Sequence, residues 1–427
     1  MTIKKGRPAK DPIVLATDAE WSAPGELWDT AEPTLRPLDG LIATGFMPDQ
    51  RIAVRHINYL EHHTGRRLRN LDLIEVTNWP EPHPNTDAVL NGGGNLAGSM
   101  VEMSPDIANI AGPGVMYYCN GGDSIKKDVL SGGYAWTNDH TDAGATVYEL
   151  AANRYNAAAV ATEGGAAKII HKAVASGWQT HGVLLTDARA IVADDDLGIA
   201  EPTPESVFWL AGISGTTPRV SRISFGADGT SAISEVTYSA GVGSTRLDVI
   251  AVGGGRGVAA NAAGTQNIYT WQDGAAALTA VSLGGTDTPR FVVWDPENLQ
   301  FIMGFSNGKM WRSPTGLSAS WTEVTANMPT GTKDYAFNGA CSRGSLCVVP
   351  GTLNSVSCLF VTGDAGETWD TLPDPLRRYN ANAYMGPASG PAPVAEKVRR
   401  VGNRLVCLGY NASNKAYAAY SERTGRP

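Results

Sequence analysis

The sequence predicts an all-β fold, a six- or seven-bladed β-propeller preceded by a small, mostly irregular N-terminal attachment segment with one helix. Three observations carry this. Charged residues make up only 18% of the 427 positions while glycine numbers 49. That balance suits many short strands joined by tight turns, and it disfavours both long solvated helices and disorder. From about residue 100 a four-strand unit recurs along the chain. A Thr-x-Asp-x-Gly-x-Thr-Trp turn falls between two strands of one such unit.

The unit is clearest over residues 291–324. Phe291-Val292-Val293-Trp294 is a strand, Asp295–Asn298 a turn, and Gln300–Gly304 a second strand. Ser306-Asn307-Gly308 is a hairpin turn, followed by strands at Lys309–Arg312 and Trp321–Val324. Four antiparallel strands in roughly 40 residues make one propeller blade. The plan repeats after it, at Asn338–Cys341, Leu346–Val349, Cys358–Val361 and Trp369–Leu372. It also precedes it, at Asp248–Val252, Gly257–Ala260, Ile268–Trp271 and Thr279–Leu283. Between residues 150 and 200 the pattern weakens and Ala166–Ala175 has helical spacing, which leaves the count at six or seven.

The last unit, Val398–Val401, Arg404–Leu408 and Tyr417–Ser421, has three strands. A blade one strand short takes a strand from elsewhere or leaves an edge open to aggregation. The alternating stretch Leu73–Thr77 is the expected donor. Domain boundaries follow: an attachment segment over 1–80 and a propeller over 81–427.

Residues 1–48 are proline-rich and aperiodic, with Trp21 and Trp28 in an irregular run, a sequence suited to lying along a partner. One helix is expected at about 50–64. Asp49 caps it, Ala53, Ile57 and Leu60 share a face, and Gly65 stops it.

The formal net charge is −8, and the acidic excess lies beyond residue 70. No basic stripe follows the opening Lys4-Lys5-Gly6-Arg7, so direct nucleic-acid binding is not expected. No apolar run is long enough to cross a bilayer, so membrane insertion is not expected, nor is there the apolar core of a signal peptide. The five cysteines, Cys119, Cys341, Cys347, Cys358 and Cys407, include no C-x-x-C pair and sit in apolar runs, which predicts free buried thiols. No cofactor or metal is expected.

Several motifs invite chemistry and are read otherwise. Gly304-Phe305-Ser306-Asn307-Gly308 matches a nucleophile elbow, but that device needs a helix after the serine and a strand follows here. Gly253-Gly254-Gly255 lacks the lysine and spacing of a phosphate loop. Asp194-Asp195-Asp196 reads as a solvated turn, and His56, His62 and His63 lack the spacing of a zinc helix. Trp178, Trp209 and Tyr379 are candidate sugar-stacking residues, against the competing reading of core packing.

Thr362-Gly363-Asp364-Ala365-Gly366-Glu367-Thr368-Trp369 resembles the Asp-box of sialidase-type propellers. Its members Thr362, Asp364, Gly366, Thr368 and Trp369 would then be structural, with the Asp accepting turn N–H groups and the Trp packing between sheets. Asp142–Val147 is a degenerate copy, and Ser313–Trp321, Asp228-Gly229 and Asp273-Gly274 are fainter echoes. A catalytic set of the sialidase kind would need converging arginines, a Tyr–Glu pair and an acid. Arg222, Arg290, Arg343 and Arg400 are available, but spacing assigns no such set, so no enzymatic activity is expected.

The N-terminal 70 residues resemble attachment regions of tailed-bacteriophage virion proteins. The resemblance rests on Ala16–Asp18, on Trp21–Gly25, and on Gly40-Leu41-Ile42-Ala43-Thr44-Gly45-Phe46-Met47-Pro48 leading into a helix with Asn58 near its middle. It implies a structural virion component, made in the host cytoplasm and held to other virion proteins through the segment bearing Ala53, Ile57, Asn58 and Leu60. With no long fibrous repeat, it implies a compact tail spike, tail fibre or tail-tip appendage binding a host-surface glycan or protein, and a homo-oligomer. The alternatives are a head-decoration or neck protein without receptor binding, and a glycan-processing, sialidase-like hydrolase.

Overall fold

A computed structural model of the chain describes residues 98–103, 115–119, 121–129, 136–153, 156–173, 176–194, 206–225, 234–240, 245–261, 267–275, 277–285, 287–343, 346–380, 394–401, 404–410 and 416–420. All belong to the unit Leu73–Pro427. They form seven antiparallel sheets, one after another along the chain.

Blade 1 is β1 (Ser99–Met103), β2 (Val115–Cys119), β3 (Ser124–Val129) and β4 (Thr137–Thr141). Blade 2 is β5 (Thr146–Ala152), β6 (Asn156–Glu163), β7 (Ala166–Ala173) and β8 (Gln179–Gly182). Blade 3 is β9 (Asp187–Ala193), β10 (Ser206–Ser214), β11 (Thr217–Phe225) and β12 (Ser234–Ser239). Blade 4 is β13 (Val249–Gly253), β14 (Arg256–Ala260), β15 (Ile268–Gln272) and β16 (Thr279–Val281). Blade 5 is β17 (Pro289–Asp295), β18 (Gln300–Phe305), β19 (Met310–Ser313) and β20 (Thr322–Glu323). Blade 6 is β21 (Lys333–Tyr335), β22 (Cys341–Arg343), β23 (Leu346–Leu353), β24 (Val356–Thr362) and β25 (Asp370–Pro373). Blade 7 is β26 (Val394–Val401), β27 (Arg404–Tyr410) and β28 (Ala416–Tyr420). The fold is a seven-bladed β-propeller.

The reason for seven sheets is written in the core. Successive residues of a strand point to opposite faces, so a strand buried on both sides feeds two interiors. In β18, Phe301, Met303 and Phe305 pack toward blade 4, while Ile302 packs toward blade 6. The same division holds around the molecule. Seven apolar clusters exist among the described residues, and each is shared by two adjacent blades. The one that closes the ring joins Met100, Met116, Tyr118 and Trp136 of blade 1 to Val401, Val406, Leu408 and Ala418 of blade 7.

Two expectations are revised, and one motif is placed. Ala166–Ala175 is not helical: residues 166–173 form β7, with Ile169 packed toward blade 3 and Ile170 toward blade 2's other neighbour. The strand is sandwiched between two sheets, and its adjacent isoleucines serve both. The first strand of blade 6 is broken into β21 and β22, both paired with β23, because Asn338 between them has φ of 47°, a left-handed conformation that asparagine tolerates. The degenerate Asp142–Val147 motif begins in the link from blade 1 to blade 2 and runs into β5, not between the third and fourth strands of a blade. The helix at 50–64 with Ala53, Ile57, Asn58 and Leu60, and the closing strand Leu73–Thr77, lie outside the described residues.

Candidate functional site

The first strands of successive blades neighbour one another around the ring axis, and an extended polar cluster sits among them. Glu149, on β5 of blade 2, is 3% exposed. Its Oε1 accepts from Ser99 Oγ of blade 1 at 2.8 Å and from Arg399 Nε and Nη2 of blade 7 at 2.9 and 2.7 Å. Its Oε2 accepts from Lys397 Nζ of blade 7 at 2.6 Å and from Asn338 Nδ2 at 3.2 Å. Arg399 also donates to the Asn338 carbonyl at 2.8 Å. The break in blade 6 thus has a use, since the left-handed turn at Asn338 presents both its amide and its carbonyl to the same network.

Burial alone would push the Glu149 carboxyl up, but Arg399 and Lys397 outweigh it and hold the group below its ordinary range. Cys119 nearby is pushed up to about 12 by burial and then by the Glu149 charge, so its thiol stays protonated and unreactive. A buried carboxylate with two cations and two neutral donors is a satisfied set. Its chemistry is that of a fastener joining four blades.

Further charge pairs are more exposed. Arg246 bonds Asp248 at 2.5 Å and also reaches Asp187 of blade 3, while Arg290 faces Asp334 of blade 6 at 3.5 Å. Arg222 lies 3.7 Å from Asp273 in a different blade boundary. Arg222 and Arg290 therefore answer separate carboxylates; Arg400 is an exposed residue of β26, and the Arg343 side chain is outside the described set.

The turn from β24 to β25 is Gly363–Trp369. Asp364 Oδ1 accepts from Thr368 N at 2.9 Å and Thr362 Oγ1 at 2.8 Å, and Oδ2 accepts from Thr368 Oγ1 at 2.6 Å. Thr362 Oγ1 accepts from Gly366 N at 2.9 Å. Gly366 has φ of 81°, and Trp369 is buried between blades 5 and 6. The corresponding turn of blade 5 builds the same shape without the carboxylate. Ser313 Oγ accepts from Gly316 N at 2.7 Å, Thr315 Oγ1 donates to Ser320 Oγ at 2.7 Å, and Trp321 Nε1 donates to the Gly316 carbonyl at 2.9 Å. A chain of hydroxyls stands where blade 6 has Asp364.

The serine and glycine motifs resolve into turns. Gly308 N donates to the Phe305 carbonyl at 3.0 Å and Lys309 N to Asn307 Oδ1 at 3.0 Å, so Ser306 sits in a hairpin that leads straight into β19. Gly253 and Gly257 are beds for indoles. A Cβ at Gly253 would lie 2.1 Å from Trp294 Nε1 of blade 5, and one at Gly257 would lie 2.0 Å from the Trp271 ring.

The three aromatic candidates fare differently. Trp178 is half-buried after β7; its indole donates to Asp139 Oδ2 at 2.8 Å and meets Tyr117 edge-on at 5.1 Å. Lys172 Nζ lies 6.0 Å from its ring, and Lys127 lies 3.8 Å from Asp139. Trp209, by contrast, is 1% exposed, tilted against Trp271 at 5.5 Å, and bonded to Asp194 Oδ2 at 3.0 Å. It is packed in the core, the alternative to sugar stacking that the sequence left open. Tyr379 belongs to the short 3₁₀ segment Pro375–Asn380, and its side chain lies outside the described set. Nothing brings Trp178 and Trp209 together: one lies at the boundary of blades 1 and 2, the other at that of blades 3 and 4.

Glu149, Asn338, Lys397 and Arg399 escaped the sequence reading. A signal existed: Glu149 interrupts an apolar run, and Lys397 and Arg399 alternate with Val398, which puts two cations on one face of a strand.

No family model matches the chain, and no curated protein matches it in sequence. Solved structures do resemble it. YCF48 from Cyanidioschyzon merolae superposes with a TM-score of 0.53 at 10% identity, covering 81% of this chain and 99% of that one. YCF48 bound to D1 peptide gives 0.52 at 14% identity, covering 82% and 97%. The GH74 xyloglucanase from Xanthomonas campestris gives 0.50 at 11% identity and covers 78% of this chain; the chain spans about half of that enzyme, 52%. At these identities the likeness is one of fold. The class is the β-propeller proteins, and this chain is a seven-bladed example.

Proposed function

We propose that the protein is a structural component of a tailed-phage virion, a compact tail spike, tail fibre or tail-tip appendage. Residues 1–80 join it to other virion proteins, and the propeller meets a glycan or protein of the host surface. The observation that carries this reading is the run Gly40–Leu60, whose sequence is similar to virion attachment segments. The propeller suits the outward role, because its loops are displayed on a ring whose blades share their cores and whose axis is fastened at Glu149. Trp178, half-buried among Asp139, Lys127 and Lys172, supplies an aromatic edge framed by charge, a common composition for sugar contact.

Mass spectrometry of purified virions, together with adsorption of the labelled full-length chain to host cells, tests the proposal. The chain is expected in particles at stoichiometric amounts, with adsorption weakened about tenfold, roughly 1.4 kcal/mol, by Trp178→Ala. Absence from particles overturns the virion role. Presence without adsorption leaves a decoration or neck protein, and turnover of host polysaccharide makes it a hydrolase.

A further inference from the structure

The geometry points to a binding site for a hydroxyl group of a neutral saccharide in a small cleft between blades 3 and 4. The cleft holds about 20 Å³ and is lined by Asp194, Trp209, Gly253, Arg256, Trp271 and Asp273. That is room for one or two water-sized groups, too little for a sugar ring and enough for a hydroxyl or hydroxymethyl arm.

The lining has donors and acceptors in balance. Trp271 is 2% exposed and its Nε1–H has no hydrogen-bond partner, although a buried indole N–H normally finds one. Arg256 is half-buried on β14 and pairs with no described residue. On the acceptor side, Asp273 Oδ1 takes the Tyr238 hydroxyl at 3.2 Å and Gly274 N at 2.9 Å, leaving Oδ2 outside those bonds. Asp194 holds the Trp209 indole at 3.0 Å.

This balance selects the ligand. A bound anion would face two carboxylates, Asp194 and Asp273. A cation would face Arg256, with Arg222 beside Asp273 at 3.7 Å. A neutral hydroxyl avoids both repulsions. It accepts from Trp271 or Arg256 while donating to Asp273, which no group limited to one role can do. The rim also suits a ring held outside. Gly254 and Gly255 are exposed and carry no side chain, and space above Gly255 is open, so a pyranose whose arm enters the cleft meets bare backbone.

The inference rests on the host-surface reading for its biological setting alone, and the assay separates the two. Full-length protein is titrated with the methyl glycosides of glucose, galactose, mannose and N-acetylglucosamine, and with N-acetylneuraminic acid. Saturation-transfer NMR and tryptophan fluorescence are followed. At least one neutral glycoside is expected to receive saturation and quench fluorescence, with N-acetylneuraminic acid giving neither. Arg256→Met and Asp273→Asn should each weaken binding by tenfold or more, and Val356→Ala, at the exposed first residue of β24 in blade 6, should leave it unchanged. Unaltered near-ultraviolet dichroism shows that each variant is folded, and Arg256→Lys provides a second, milder test with an intermediate loss. Binding of no neutral glycoside, preference for the acidic sugar, or affinity indifferent to both folded variants would each overturn the site. Sugar binding by a chain missing from virions sinks only the virion role; a virion protein that binds no neutral glycoside sinks only the site.

Discussion

Arg399 places two guanidinium nitrogens on a single oxygen of Glu149, at 2.9 and 2.7 Å, across 250 residues of chain. The pair links blade 7 to blade 2 past the blade between them, and Lys397 and Asn338 share the same carboxylate. Charges this deeply placed are stabilised only as a set, so removing one member exposes the rest to an uncompensated interior.

Glu149→Ala should therefore destabilise the propeller by about 3–5 kcal/mol, with Glu149→Gln milder because it retains acceptor capacity at one atom. Denaturant titration reads both. The pH dependence has a definite sign. The folded carboxyl is held below its usual range, so the unfolded chain binds the proton first. The stabilisation is complete above the ordinary glutamate pKa near 4.3 and is lost as pH falls through the lower folded value. A Glu149→Ala protein as stable as the parent at pH 7 would refute the fastening role.

His171 predicts acid sensitivity at higher pH. It is fully buried, stacked on Phe225 with ring centroids 3.6 Å apart, and faces Asn156 Oδ1 at 3.2 Å. Burial, and then the neighbouring His181, lower its pKa to about 3. The unfolded chain takes up this proton near pH 6.5, so stability declines as pH drops from there toward 3, by about 1.4 kcal/mol per unit at most. Urea unfolding from pH 7 to 4 should show that slope, and His171→Phe should flatten it. An equal slope in the variant places the sensitivity elsewhere.

Asp364→Ala removes the acceptor of three hydrogen bonds in a half-buried turn. A cost of about 1–2 kcal/mol is expected. Trp369→Ala, which empties the space between blades 5 and 6, should cost about 3–5 kcal/mol. The blade 5 turn already works with hydroxyls alone, so Asp364→Ser is expected to recover part of the loss. Thermal melts of the three variants give the ranking directly.

Gly253→Ala should cost more than Gly177→Ala, even though neither position has a positive φ. A methyl group at Gly253 strikes the Trp294 indole, whereas nothing lies within 4 Å at Gly177. Overpacking of this kind costs about 1–3 kcal/mol. Equal stability of the two variants would mean that the indole shifts freely.

Much of the propeller was legible because blade strands write their burial locally. Phe291–Trp294 and Gln300–Gly304 announce β17 and β18 through apolar content and the turns beside them. Blade 2 was harder. Alanine fills much of β6 and β7, and its intrinsic preference for helix is overridden there by packing on both faces of the strand. The Glu149 cluster was not legible as a cluster, because its members come from four blades and only closure of the ring makes them neighbours. Trp209 was left between two readings for a related reason: an isolated tryptophan on a strand looks the same whether the next sheet covers it or solvent does.

The cluster shared by Met100, Tyr118, Val406 and Ala418 has a consequence for synthesis. At a ribosomal rate of about 5–20 residues per second, the greasy side of blade 1 stays wet for on the order of tens of seconds before its mate exists. A nascent propeller is an open horseshoe with two sticky flanks until the final sheet is translated. Chaperones, or a neighbouring copy offering the wrong flank, have that interval in which to act.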